Sequence, residues 1–107
     1  MNLNEKKCVP CEGIGQKFTL EEIQAHLKQV KGWQAREDKI FKTFRYDNFL
    51  EAMKFVNAMA MVAESEGHHP DFTVHYNIVE VFIWTHALDG LTENDFILAA
   101  KIDEIII

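Results

Sequence analysis

Glu64-Ser65-Glu66-Gly67-His68-His69-Pro70, then Trp84-Thr85-His86-Ala87, then Gly90-Leu91-Thr92-Glu93-Asn94-Asp95 hold the chemically capable residues of this 107-residue chain. His68, His69 and His86 sit with Glu64 and Asp95 at the ends of expected elements, where side chains from remote segments can converge on one pocket. Histidine titrates nearest neutrality, so clustered imidazoles suit placing a proton on a poor leaving group while taking one from a neighbouring atom. Elimination of water is the chemistry that such a set performs.

Each of these residues also has a plainer reading. His69 precedes Pro70, which pushes its backbone to an extended conformation, and extended neighbours send their side chains to opposite sides. His68 and His69 then serve two separate jobs more readily than joint chelation of a metal, and imidazolium capping of a helix C-terminus is the bland alternative for both. His86 before the Asp89-Gly90 turn can be an ordinary rim residue, and His26 and His75 have no comparable context. Asp95 stands three residues after Thr92, the spacing of a capping box. Glu64 lies in the last turn of its helix, where the dipole disfavours negative charge, so a further use is open to it. Trp84 can stack on a flat ring or fill a sheet face.

The elements that must position these groups are legible from periodicity. Thr19 with Glu22 forms a capping box for a helix burying Leu20, Ile23, Leu27 and Val30, with Gly32 beyond its end. Trp33 to Arg36 and Ile40 to Tyr46 read as an antiparallel hairpin. Asp47 caps a longer helix that buries Phe49, Met53, Val56, Ala60 and Ala63 and stops at Gly67. Phe72, Val74 and Tyr76 are apolar at even positions and Val79, Val81 and Ile83 at odd ones, a phase change that puts a turn at Asn77-Ile78. A last helix capped by Thr92 buries Phe96, Ala99, Ala100, Ile102 and Ile106. The order α-β-β-α-β-β-α predicts an α+β domain, a four-stranded antiparallel sheet with three helices packed on one face. The strand carrying Glu80, Phe82, Trp84 and His86 has a mixed outer face, and an unaccounted edge strand predicts pairing with another subunit.

Composition narrows the function further. Residues 1–17, with Pro10, Gly13 and Gly15, read as a flexible N-terminal arm, and residues 18–107 as one domain with one core. A net charge of -6 with 11 scattered basic residues gives no footprint for direct nucleic-acid binding. No apolar run reaches the roughly 20 residues of a membrane span, and the N-terminus lacks a signal core, so a soluble, cytoplasmic protein is expected. Cys8 and Cys11 lack the strand-then-helix context of a redox motif and cannot fill a four-ligand zinc site alone, so a reduced, non-catalytic pair is expected.

The ordered set Glu64, His68-His69-Pro70, Tyr76-Asn77, Thr85-His86, Gly90-Leu91-Thr92 and Asp95 resembles the pterin-4a-carbinolamine dehydratase family, also described as dimerization cofactors of a homeodomain transcription factor. The likeness runs over about residues 19–104. It implies the same α+β fold, a homodimer or homotetramer, and dehydration of 4a-hydroxytetrahydrobiopterin to quinonoid dihydropterin in tetrahydrobiopterin recycling, with no metal or redox cofactor consumed. Carried over by position, His68, His69 and His86 are the catalytic residues, and Glu64, Gly67, Pro70, Trp84, Thr85, Ala87 and Asp95 bind or support the pterin. Gly67 replaces a frequently acidic residue and Trp84 a small hydroxyl residue of some relatives, which alters the expected polar contacts and the width of the pocket. Two other classes compete: a non-catalytic dimerisation or transcriptional coactivator module of the same fold, and a metal-dependent hydrolase or dioxygenase using the same histidines. The first has no need of three convergent imidazoles, and the second lacks a His-x-His or Glu-x-x-His pattern.

Overall fold

Helix α1 covers Leu20–Leu27, and its first turn closes as the sequence requires: Thr19 N–H donates to Glu22 Oε1 at 2.8 Å and Glu22 N–H to Thr19 Oγ1 at 3.3 Å. The computed structural model describes residues 2–10 and 14–107, and continues with β1 (Gln34–Arg36), β2 (Lys39–Arg45), α2 (Phe49–Glu66), β3 (Asp71–His75), β4 (Ile78–Ile83) and α3 (Glu93–Asp103). The sheet is antiparallel throughout in the order β1-β2-β4-β3. The expected α+β architecture is therefore the observed one.

The core lies between the sheet and the helices. Ile40 from β2 and Val79, Val81 and Ile83 from β4 are buried against Ala52, Phe55, Val56 and Met59 of α2 and Phe96, Leu98, Ala99 and Ile102 of α3. Because the β4 side-chain period is two, Glu80 and Phe82 face outward, and Phe82 stacks on Phe41 of β2 at 6.2 Å between centroids.

Several local expectations are corrected. The α2 cap is Asn48, whose Oδ1 accepts from Glu51 N–H at 2.9 Å, one residue later than the Asp47 that the sequence suggests. The buried stripe of α2 is Ala52, Phe55, Val56, Met59 and Ala63, so Val56 and Ala63 are buried as expected while Phe49 and Ala60 are exposed. The β3–β4 turn falls at Tyr76-Asn77, Tyr76 taking φ +55° and His75 pairing with Ile78. Leu20 is 72% exposed, α1 having no buried residue, and Ile106 lies beyond the end of α3 at 93% exposure. Leu20, Phe49 and Ile106 stand at the margins of their elements, beyond where the buried stripe stops.

The N-terminal segment is docked. Leu3 belongs to a short 3-10 turn, Leu3–Glu5, and is buried in the core cluster, while Asn4 Nδ2 donates to Glu104 Oε2 at 2.7 Å. Composition gave no sign of these contacts, since one leucine among polar residues carries no periodicity. Cys11 falls outside the described residues. Cys8 is half-buried, and burial first, then the charge and hydrogen bonding of Glu66, push its thiol up to about 12.

Candidate active site

Two helix ends and one strand end build the site. Helix α2 terminates in a left-handed turn at Gly67 (φ +65°), with Gly67 N–H donating to Glu64 O and His68 N–H to Ala63 O, both at 3.3 Å. This closure satisfies the last carbonyls and turns the chain back toward α3. Adjacent imidazoles then separate: His68 points inward and is 6% exposed, whereas His69 is exposed.

His68 meets the only fully buried carboxylate among the described residues. Its Nε2 lies 2.6 Å from Asp95 Oδ1, and Asp95 is 0% exposed at the third position of α3. Asp95 Oδ2 accepts from the main-chain N–H of the Thr92 cap and from the Thr85 hydroxyl, each at 2.9 Å. Since Thr85 gives its single proton to Asp95, the 2.8 Å contact between the two threonine hydroxyls has Thr92 donating to Thr85. An ionised carboxylate with this many fixed donors holds the His68 proton on Nε2. Nδ1 has no protein partner among the described residues, and no fully buried side-chain nitrogen or oxygen among them lacks one, so Nδ1 is not wholly sealed from solvent.

His69 Nε2 lies 2.9 Å from Glu64 Oε2, and both side chains are largely in solvent, 62% and 80% exposed. His86 opens a short 3-10 turn, His86–Leu88, rather than ending a strand; the strand stops at Ile83 and a lone bridge joins Thr85 to Gly90. Its ring is 4.1 Å from that of Trp84, and Lys39 Nζ is 4.6 Å from the Trp84 ring centre. His86 is covalently next to Thr85, whose hydroxyl is held by the carboxylate that holds His68. One network thereby fixes the backbone of one imidazole and the ring of another.

A groove of about 570 Å³, within the size range of small-molecule sites, runs alongside, lined by Lys39, Pro70, Asp71, Thr73, Phe82 and Trp84 among others. None of the three histidines lines it; it adjoins His69 through Pro70, which follows it, and His86 through Trp84, whose ring lies tilted at 45° against the imidazole. Pro70 and Trp84 therefore stand at the groove, and Gly67 and Ala87 are exposed at the two turns. Thr85 and Asp95 do not line any opening: both are 0% exposed with their oxygens committed to the network, so they support the site from behind. Lys39 escaped the sequence reading, which took Thr92 for a helix cap without its bond to Thr85. The register that would have pointed to Lys39, Ile40 opposite Ile83, becomes visible only when the β2–β4 pairing is known. Among the described residues no group of three His, Cys, Asp or Glu side chains is arranged to hold a metal ion.

Residues 16–105 match the family model described as "Pterin 4 alpha carbinolamine dehydratase". A relative from Nitrosomonas europaea, named "Putative pterin-4-alpha-carbinolamine dehydratase", is 48% identical over 95% of this chain and 91% of its own length. A relative of the same name from Legionella pneumophila is 48% identical over 99% of this chain and 96% of its own. A crystal structure of a transcriptional coactivator/pterin dehydratase from Brucella melitensis superposes with a TM-score of 0.79 at 32% identity, covering 82% of this chain and 96% of that one. A pterin dehydratase-like protein identified as a RuBisCO assembly factor in the alpha-carboxysome shares the fold, with a TM-score of 0.56 at 24% identity over 66% of this chain and 82% of that one.

Proposed function

Because the chain belongs to the pterin 4 alpha carbinolamine dehydratase family, we propose that it is a hydro-lyase that removes water from 4a-hydroxytetrahydrobiopterin to give quinonoid dihydropterin. The observation that carries this reading is the buried His68–Asp95 pair, which leaves one imidazole nitrogen, Nδ1, unspent, and whose carboxylate also holds Thr85, the residue before the exposed His86. In the elimination, the C4a–O bond breaks as the hydroxyl takes up a proton and leaves as water, and the adjacent ring N–H loses its proton as the C=N bond forms. His68, with its tautomer fixed by Asp95, accepts the ring proton at Nδ1. His86 donates to the departing hydroxyl. Exchange of both protons with solvent resets the pair. His69 contacts the pterin edge with Glu64 behind it, and Trp84 offers a plane to the heterocycle. Positioned proton transfer of this kind is worth about 10²–10⁴-fold in rate.

The test is a stopped assay of the 4a-hydroxy intermediate, with and without protein, run on the wild type, His86→Ala and His68→Ala. Turnover above the uncatalysed rate, lowered at least about tenfold in each folded variant, is expected. Wild-type turnover in either variant removes that histidine from the mechanism.

A second reading, compatible with the first, concerns assembly. Leu50 and Met61 are 65% and 75% exposed and, eleven residues apart, share one face of α2, while the free edge strand β3 carries Phe72 at 43% exposure. Large exposed apolar groups on a helix face and beside an open strand edge favour self-association as a dimer or tetramer. Sedimentation of Met61→Glu at lower mass than the wild type is the expected result, and an unchanged monomer in both would refute it.

A further inference from the structure

We propose that residues 2–9 are a brace for the site, and that Glu66 and Asn94 are positioning residues through which this segment sets the His68–Asp95 contact. Glu66 stands two residues before His68 at the end of α2, and Asn94 stands immediately before Asp95 at the start of α3. Successive residues of the segment stitch these two helix ends together. Lys6 Nζ pairs with Glu93 Oε2 of α3 at 2.8 Å, and Lys7 Nζ donates to Ser65 O of α2 at 3.2 Å. Cys8 N–H donates to Glu66 Oε1 at 2.9 Å, while its thiol lies 3.5 Å from Asn94 O. Val9 N–H donates to Asn94 Oδ1 at 2.9 Å and Asn94 Nδ2 returns a bond to Val9 O at 2.7 Å. Leu3, 5% exposed, anchors the segment in the core.

Both positioning residues break a local rule, which is where a non-local use is to be sought. Asn94 is a poor helix former, yet it is 2% exposed, and its amide is spent on the main chain of Val9. Glu66 places a carboxylate in the last turn of a helix, where the dipole opposes it, and it is retained with 4% side-chain exposure by Lys101 Nζ at 2.7 Å and by the segment. These contacts span the same gap as the 2.6 Å bond from His68 to Asp95. A slip of about 1 Å between the helix ends carries that bond past the range of a hydrogen bond, and misplacement on that scale costs up to about 10²-fold in rate.

The brace rests on the dehydratase reading for its effect on rate alone; the state of the His68 ring reports on it directly. The experiment uses the full chain carrying Val9→Pro, which deletes the N–H given to Asn94 and alters no atom of α2 or α3, alongside Asn94→Ala and the control Val9→Ala. The Nε2 proton resonance of His68 and the kcat and KM for the 4a-hydroxypterin are measured in protein shown to be folded by its thermal transition. Val9→Pro and Asn94→Ala are expected to shift or broaden the His68 resonance and to lower kcat about tenfold with KM within about twofold, and Val9→Ala to match the wild type. An unchanged His68 resonance in Val9→Pro overturns the brace, whatever the rate does, as does a Val9→Ala control that behaves like Val9→Pro. Should Asn94→Ala fail to fold, Val9→Pro alone decides. A wild type without turnover refutes the dehydratase reading and leaves the resonance to judge the brace.

Discussion

Asp95→Asn is the sharpest perturbation available, because the amide has the carboxylate's shape but only one acceptor end. The two ends must be divided between His68 Nε2 on one side and, on the other, Thr92 N–H and the Thr85 hydroxyl, each 2.9 Å from Oδ2. A hydroxyl can turn and accept, but a main-chain N–H cannot, so the amide oxygen takes the Thr92 side. The NH₂ group then faces His68 Nε2, which must accept, and the ring proton moves to Nδ1. The reverse arrangement sets the amide NH₂ against a buried N–H and costs about 1–3 kcal/mol, leaving the working tautomer populated at roughly a tenth or less. An Nδ1 that already carries a proton cannot take the pterin's. We expect kcat to fall at least about tenfold, in the direction of the ~10⁴-fold of the equivalent tautomer error in a serine protease triad. Asp95 is fully buried and touches no opening, so KM should stay within about twofold. Stopped-flow decay of the 4a-hydroxy intermediate, corrected for the buffer rate, measures both, and ¹⁵N shifts of His68 read the tautomer. A folded Asp95→Asn protein turning over within about threefold of wild type would make Asp95 a helix cap and nothing more.

Three further outcomes follow from the same geometry. Gly67→Ala should destabilise by about 1 kcal/mol in a denaturant titration, through the left-handed φ of +65° alone, since an added Cβ would meet nothing within 4 Å. In a Cys11→Ser background, Cys8 should react with a thiol reagent at pH 8 about a hundredfold more slowly than the unfolded chain, because its thiol is pushed up to about 12. Burial works to raise the Glu66 carboxyl, but the Lys101 hydrogen bond, the Cys8 N–H and the charges of Lys101 and Lys7 outweigh it and hold it below its usual range. A lowered folded-state value stabilises the fold above the unfolded carboxyl's 4.5 and loses that contribution as pH falls through the folded value. The thermal stability advantage of wild type over Glu66→Gln should therefore be full at pH 7 and shrink below about pH 4.5; an advantage constant from pH 7 to 3 would refute the assignment.

What could be read from the chain was whatever a short window encodes. The Thr19–Glu22 box, the Gly67 stop and the Thr92–Asp95 spacing each lie within three or four residues, and each appears in the fold. The Asp47–Asn48 choice was not decidable that way, since both residue types cap well. Within the site, the parting of His68 from His69 follows from Pro70, but the partner of His68 lies 27 residues away and no periodicity announces it. Glu64 is visible in the sequence as a carboxylate against the helix dipole; the same reasoning applies to Glu66, whose compensating contacts come from Lys101 and from an N-terminal segment whose composition reads as an arm. Lys39 likewise becomes a neighbour of Trp84 only through the cross-strand register.

The two histidine–carboxylate contacts look alike in distance and differ in what they can fix. At 2.6 Å, with both side chains under 10% exposed, His68–Asp95 has no water to compete with it, and separating it leaves a buried carboxylate short of a donor. At 2.9 Å, His69–Glu64 joins side chains that are 62% and 80% exposed, where an ion pair is worth about 0–1 kcal/mol and is screened by salt. So the His68 tautomer is set by the fold alone, whereas His69 is free to exchange its partner for another polar group. Adjacent residues of one type thus acquire a fixed and an adaptable role from burial alone. That difference is why base chemistry is assigned to His68 and orientation of the ring to His69, although a sequence offers the two as a single dipeptide.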